Sequence, residues 1–172
     1  MSAFWWILLS VVLVLSPMSM LKPTARQKRL ILLRDTARQL GIKVTLTPQL
    51  LEPGLKLEGA AYRWLRAADA SPMPGYLCLM RKEPERERGG LWQAGWELVK
   101  GRRSFLTEEQ QKFLSSWLET LPEDVFAVEW GSATLAIWWH ERADSVILEK
   151  IHTGALALLA LNSQPFVAVA RA

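Results

Sequence analysis

Few side chains in this chain could carry chemistry, because it has only two histidines and one cysteine. His140 and Glu141 follow a predicted strand, and Glu129 shares a sheet face with His140 in the predicted hairpin. A carboxylate and an imidazole together suit acid–base chemistry or metal ligation. In that register, however, Glu129 faces Thr134, several residues from His140. We therefore interpret His140 as a surface residue at a strand end.

The other reactive residues lack the sequence context that catalysis requires. Cys78 lies in the middle of a predicted strand, which favours a buried thiol. His152 lies within a predicted helix and is most simply a helix-face residue. The sequence contains no glycine-rich phosphate loop and no G-x-S-x-G motif. It therefore predicts no catalytic residue, no metal ligand and no cofactor.

Tryptophan is the unusual component of the composition. The chain has nine, of which seven follow residue 21. Indole rings suit protein interfaces, because they bury a large area and keep one polar group. Trp138 and Trp139 are adjacent in one predicted strand and so point to opposite faces. We predict that one or two of the seven contact a partner protein, with Trp138 and Trp139 as the candidates.

The N-terminal segment predicts a membrane anchor. Residues 3–21 are apolar, and no charged side chain precedes Lys22. As a helix they would cover roughly 28 Å, about one hydrocarbon core. Trp5 and Trp6 at one end suit the headgroup level, and Pro17 is tolerated near a membrane helix end. We predict residues 1–21 as an uncleaved transmembrane helix, with a cleaved signal peptide or a buried soluble helix as alternatives.

A basic segment follows the predicted span. Residues 22–43 contain seven basic side chains and one acid, so this segment carries a net charge of +6. The whole chain carries only +4. Positive residues next to a span stay in the cytoplasm, so we expect the N-terminus outside and the C-terminal domain in the cytoplasm. Residues 22–41 are predicted as a basic amphipathic helix under the membrane. The residues predicted to contact anionic lipid headgroups are Lys22, Arg26, Lys28, Arg29, Arg34 and Arg38.

An alternative for this helix is that it is solvated and packs its leucines on its own domain. We expect no nucleic-acid partner, because the rest of the chain carries a net charge of −2 and no nucleic-acid motif follows.

Residues 42–172 predict a cytoplasmic α+β domain. Short alternating segments at 42–46, 59–65, 76–81 and 91–99 predict strands. Gly131-Ser132 predicts a tight turn between two further strands, which pairs Trp130 with Ala133. The core face of that hairpin is predicted to carry Phe126, Val128, Trp130, Ala133, Leu135, Ile137 and Trp139.

Two helices complete the predicted domain. One covers 107–121 and begins with a capping-box pattern at Thr107, and the other covers 145–161. The predicted fold class is α+β: one N-terminal transmembrane helix, a basic juxtamembrane helix, and a mainly antiparallel sheet with two covering helices.

The first 45 residues or so carry a family resemblance. A span ending in Leu-Ser-Pro is followed by Lys-Pro-Thr-Ala-Arg-Gln-Lys-Arg-Leu. This resembles uncharacterised single-span gammaproteobacterial inner-membrane proteins that are likened to YajC, the accessory subunit of the Sec translocon. The resemblance implies a bacterial inner-membrane protein, and it supplies no catalytic residue. YajC itself has a much smaller soluble part.

These observations favour a non-enzymatic, membrane-anchored accessory or adaptor subunit of a larger bacterial inner-membrane complex. A first alternative is a membrane-tethered enzyme or small-ligand sensor that uses the sheet face near Glu129 and His140. A second is a Sec-translocon-associated, YajC-like accessory protein.

Overall fold

The computed structural model describes Trp5 and residues 24–52, 55–66, 74–83, 89–93 and 95–161. The chain divides into two compact units, Met1–Leu32 and Leu33–Ala172. In the first unit, Trp5 is helical and 68% exposed. The same unit contains the first half of helix α1 (Ala25–Gln39), where Ile31 and Leu32 are exposed.

The sequence predicts Thr24 and Gly41 as the caps of α1, and local capping defines both ends of the helix. The Thr24 hydroxyl accepts from the backbone N–H of Gln27, and the Gln27 side chain accepts from the backbone N–H of Thr24. At the other end Gly41 has a φ of 72°, which glycine adopts without strain. Leu33 and Ala37, on the half of α1 that belongs to the second unit, are buried in the core.

The second unit is built on a seven-stranded antiparallel sheet in the order β1-β4-β9-β8-β5-β7-β6. Its strands are β1 (Lys43–Thr45), β4 (Ala60–Leu65), β5 (Leu77–Arg81), β6 (Gly90–Gln93), β7 (Trp96–Lys100), β8 (Val125–Trp130) and β9 (Thr134–Trp139). A separate hairpin consists of β2 (Gln49–Glu52) and β3 (Leu55–Leu57). The mainly antiparallel α+β fold is therefore present.

Helices α2 (Glu108–Thr120) and α3 (Ser145–Ala160) contribute to the same core cluster as α1. The predicted capping box of α2 is confirmed, since the side chains of Thr107 and Gln110 bond each other's backbone N–H. The Asp144 side chain caps α3 by accepting from Ile147 N. Helix α3 passes close to α2 at Gly154, where a Cβ would collide with the ring of Trp117.

A smaller buried cluster involves residues on the other side of the strands. Cys78, Trp138 and Leu57 belong to it, together with Ala61, Met80 and Ala127. Leu57 lies on β3, so the β2–β3 hairpin helps to bury this face. The sequence predicts irregular chain here, because Pro48, Pro53 and Gly54 suggest breaks; the structure shows two short paired strands instead.

Two further strand predictions need correction. The predicted strand at 91–99 is a hairpin of β6 and β7, and Gly95 between them has a φ of 81°. Trp130 pairs with Leu135 rather than with Ala133, because the loop between β8 and β9 is longer than two residues. Because side chains alternate with a period of two, this two-residue shift leaves the side chains of β9 on their predicted faces of the sheet. Val128, Trp130, Leu135, Ile137 and Trp139 therefore share the predicted core.

Phe126 departs from the predicted face because the β8–β9 register shifts between Val125 and Ala127. Val125 joins the main core, and Phe126 packs on the smaller cluster.

The predicted membrane anchor also needs correction. Among the residues the structure describes, no helix is long and apolar enough to cross a membrane. The helices with described ends contain 15, 13 and 16 residues, fewer than the roughly 20 that a span requires. This finding contradicts the transmembrane part of the predicted fold and the inner-membrane, N-terminus-out location derived from it. Apart from Trp5, residues 1–23, with Trp6, Pro17 and Lys22, lie outside the described residues. The sequence also predicts a short terminal strand at 166–169, and this segment too lies outside the described residues.

Candidate functional site

An open groove of about 500 Å³ lies at one end of the β8–β9 hairpin. Its lining residues are Glu123, Asp124, Phe126, His140 and Arg142. The rings of Phe126 and His140 are stacked, with centroids 4.8 Å apart and planes 24° from parallel. His140 is exposed, whereas Phe126 is half-buried. We call this feature the His140 groove.

Hairpin pairing explains why these residues meet. Val125 pairs with Trp139, so the residue before β8 lies beside the residue after β9. His140 N donates to Asp124 O at 3.1 Å, and Arg142 N donates to the Asp124 carboxylate at 2.6 Å. The bulge at Phe126 then brings its ring against the imidazole.

Gly59 leaves the space that the Phe126 ring needs. A Cβ at this position would lie 3.0 Å from Phe126 Cε1 and 3.0 Å from Trp139 O. Its φ of 151° is also one that other residues rarely adopt. The aromatic pair therefore depends on a glycine from the neighbouring strand region.

Arg81 supports the segment that leads into the groove. Its Nε donates to Val125 O at 2.8 Å, and its Nη2 donates to Leu121 O and Pro122 O at 3.0 and 2.9 Å. The guanidinium also lies 4.9 Å from the centre of a Trp96 ring. Burial lowers the pKa of Arg81, while the charges of Glu123 and Asp124 act in the opposite direction.

Glu141 fixes the other side of the groove, between His140 and Arg142. Its backbone φ is 57°, the only positive value among the described residues other than glycine. The side chain points inward, where it is 8% exposed and accepts from Arg34 Nε at 2.8 Å and from Nη2 at 2.5 Å. Tyr62 donates to the same carboxylate at 2.8 Å. These bonds hold a strained residue in place.

The Glu141 carboxylate changes the pKa values of its two partners, Arg34 and Tyr62. The bonded carboxylate of Glu141 raises the pKa of Arg34. Burial and the same carboxylate raise the pKa of Tyr62, which is fully buried. Arg34 therefore stays a cation and Tyr62 a hydrogen-bond donor. We call Arg34, Tyr62 and Glu141 the Glu141 clamp.

Glu129, the sequence candidate for acid–base chemistry, lies elsewhere. It pairs with Ala136. His140 comes four residues after Ala136, just beyond the end of β9, which is roughly 13 Å from Ala136 at the rise of a strand. The structure does not bring the two side chains together. Glu129 is 5% exposed and accepts from Gln49 at 3.1 Å, Trp138 at 2.8 Å and the Tyr76 hydroxyl.

This network attaches the β2–β3 hairpin to the sheet. Gln49 lies on β2 and bonds Glu129, while Arg63 on β4 donates to Gln49 Oε1 at 3.0 Å. Burial and the nearby Glu129 charge raise the pKa of Cys78 to about 12. Burial also raises the pKa of Tyr76, as does its bond to Glu129.

Trp138 and Trp139, predicted to contact a partner, are fully buried. Trp138 bonds Glu129, and Trp139 packs edge-on against Tyr62 with ring centroids 5.1 Å apart. The adjacent rings do point to opposite faces, but both faces are covered at these positions. Neither ring is therefore available on the surface of the described structure.

The basic residues of α1 divide into two groups. Arg26, Lys28 and Arg29 are exposed. Arg34 bonds the buried Glu141, and Arg38 pairs with Asp35 at 3.2 Å on the surface. Contact with anionic lipid stays a prediction for these residues.

The remaining candidate side chains also have internal partners. His152 Nδ1 accepts from Trp64 Nε1 at 2.9 Å, and Cys78 is buried. Within the described ranges, no group of three His, Cys, Asp or Glu side chains could hold a metal ion.

Sequence reasoning found His140 but missed the other four groove residues and the clamp. One signal was available, because the predicted register, extended beyond the two strands, places residues 123–124 opposite residues 139–140. The clamp had no comparable signal, since Arg34 and Glu141 are 107 residues apart.

In comparisons with protein-family models, with curated proteins and with solved structures, nothing matches this chain. The resemblance to YajC-like proteins therefore stays a prediction.

Proposed function

We propose that this chain is a non-enzymatic accessory protein, an adaptor, that binds a protein partner through the His140 groove. The observation that carries the proposal is the set of hydrogen bonds that support an exposed, chemically mixed groove on both sides. Arg81 bonds three carbonyl oxygens on one side, and the Glu141 clamp holds the chain on the other. Support of this kind lowers the entropy lost on binding.

The internal polar groups favour binding over catalysis. Both oxygens of Glu129 accept hydrogen bonds from the protein, and the raised pKa of Cys78 keeps its thiol protonated at neutral pH. His152 uses Nδ1 to accept from Trp64. These groups stabilise the fold, whereas His140 is exposed beside polar and aromatic neighbours, as is common in interfaces.

Site-specific photo-crosslinking in the producing cell tests the proposal. A benzophenone amino acid replaces Arg142 at the groove in the full-length protein, and a second variant carries it at exposed Glu149 on α3. We expect one discrete crosslinked protein from position 142 and none of the same mass from position 149. Phe126→Ala in the position-142 variant removes half of the aromatic pair and should abolish the product.

The absence of a product at position 142 contradicts the proposal. The same product from positions 142 and 149 also contradicts it, because the contact would then not be specific to the groove.

A further inference from the structure

The lining of the His140 groove contains two acidic side chains and one basic side chain. Glu123 and Asp124 line it, and Arg142 is the one guanidinium in the lining. Asp124 already accepts from the backbone of Arg142, while the Glu123 side chain is exposed. Among the described residues, neither acid forms a salt bridge with a basic side chain. The two acids and Arg142 together give the lining one net negative charge.

Arg81 offsets part of the charge of the two acids, although it forms no salt bridge with either of them. Both acids act on its pKa, so its charge is nearby. Its Nε and Nη2 groups, however, donate to the carbonyl oxygens of the supporting segment, and Arg81 is not among the groove-lining residues.

The stacked rings add a second selective element. A planar guanidinium packs on an aromatic face and at the same time donates in its plane to a carboxylate. In the groove, the Phe126–His140 stack and the exposed Glu123 carboxylate line one space. An ammonium group could use the carboxylate but would match the planar stack less well.

We propose that the groove binds an arginine side chain of the protein partner. The guanidinium packs on the His140–Phe126 stack and donates to Glu123, with Asp124 adding negative charge. Arg142 opposes this cation and limits the affinity. The inference rests on the adaptor function proposed above, since it names what the partner presents at the same groove.

Short peptides test the arginine preference on the full-length, ¹⁵N-labelled protein. The probes are acetyl-Gly-Arg-Gly-amide, its citrulline counterpart, which keeps the shape but lacks the charge, and acetyl-Gly-Glu-Gly-amide. We expect the arginine peptide to shift the amide signals of His140 and Arg142. The citrulline peptide should bind about fivefold more weakly, the effect of one exposed charge contact.

Charge variants of the groove give effects of opposite sign. Glu123→Gln should weaken binding of the arginine peptide about fivefold, and Arg142→Gln should strengthen it about twofold. Glu149→Gln, an exposed acid on α3, should change nothing. All three positions are exposed, so the melting temperature of each variant should match the parent protein.

Three outcomes overturn the inference: equal binding of the arginine and citrulline peptides, shifts that avoid the groove, or stronger binding of the glutamate peptide. In the last case Arg142→Gln would weaken binding and an anionic segment would be the occupant. If the crosslinked partner persists while Glu123→Gln leaves its capture unchanged, the adaptor function stands and the arginine preference fails.

Discussion

Glu129 and Glu141 are two buried glutamates at opposite ends of the β8–β9 hairpin, and their partners differ in kind. Glu129 accepts hydrogen bonds from the neutral side chains of Gln49, Tyr76 and Trp138. Glu141 accepts from the Arg34 guanidinium and from Tyr62, at a backbone φ of 57°. The first bonds a surface hairpin to the sheet, and the second holds the edge of the His140 groove.

This difference determines what each site tolerates. A buried ion pair depends on both partners, because removing one leaves an uncompensated charge. A carboxylate with neutral donors leaves no opposite charge behind when it is replaced. We therefore expect the Glu141 clamp to be the more sensitive of the two networks, and the following variants test that order.

Arg34→Met should have the largest effect, a loss of about 3 kcal/mol in the free energy of unfolding. This value is at the low end for a buried pair, because the Arg34 side chain is 35% exposed. Urea denaturation measures the loss. Arg38→Met is the matched control, since its pair with Asp35 is 84% and 52% exposed and should contribute less than about 0.5 kcal/mol. Equal losses in the two variants would show that the clamp contributes no special stability.

Glu129→Gln should cost about 2 kcal/mol in the same assay. The new amide group presents N–H donors toward a site whose neighbours are themselves donors. Glu58→Gln, at an exposed acid beside β3, serves as the control. A greater loss for Glu129→Gln than for Arg34→Met would reverse the proposed order of the two networks.

The third prediction concerns pH, since both tyrosines of the chain belong to these networks, Tyr62 to the clamp and Tyr76 to the Glu129 site. Burial raises both pKa values above the usual 10. The neutral form is therefore favoured by folding, and its stabilising effect is complete below about pH 10 and lost as the pH rises. For fully buried Tyr62 we expect a loss of about 1 kcal/mol between pH 10 and 11.

Tyrosinate absorbance measures this titration directly. It should appear together with the loss of near-ultraviolet circular dichroism, and in concentrated guanidinium chloride it should have a midpoint near pH 10. Ionisation of Tyr62 near pH 10 in the folded protein would contradict the proposed burial of the clamp.

The sequence predicts local structure better than it predicts either network. Thr107 and Gln110 are three residues apart, so their capping box is visible in the sequence and is present in the structure. The faces of β8 and β9 likewise follow from alternation, and they survive a register error of two residues. The bulge at Phe126 breaks the alternation, and no local signal predicts it.

The sites depend on contacts between distant segments. Arg34 was predicted to face a lipid surface because it lies in a basic helix, yet its partner Glu141 is 107 residues away. Gln49 meets Glu129 across 80 residues, in a segment predicted to be irregular. Charge and periodicity describe a segment alone and do not identify its tertiary partner. The same limit affects the predicted anchor, which rested on an apolar run without a described helix of spanning length.

Gln49→Ala should have the smallest effect on stability, about 1 kcal/mol, because it removes one neutral donor to Glu129 and one acceptor for the partly exposed Arg63. Gln49→Ala should nevertheless accelerate the alkylation of Cys78 more than Arg34→Met does, although Arg34→Met lowers global stability more. Leu57 on β3 shares the buried cluster with Cys78, so loosening the hairpin exposes the thiol locally. We expect alkylation by iodoacetamide near pH 8 to be about fivefold faster in Gln49→Ala and unchanged in Lys56→Ala. If Arg34→Met accelerates alkylation more, Cys78 is exposed only by global unfolding, and the Glu129 network is then part of one cooperative core with the clamp.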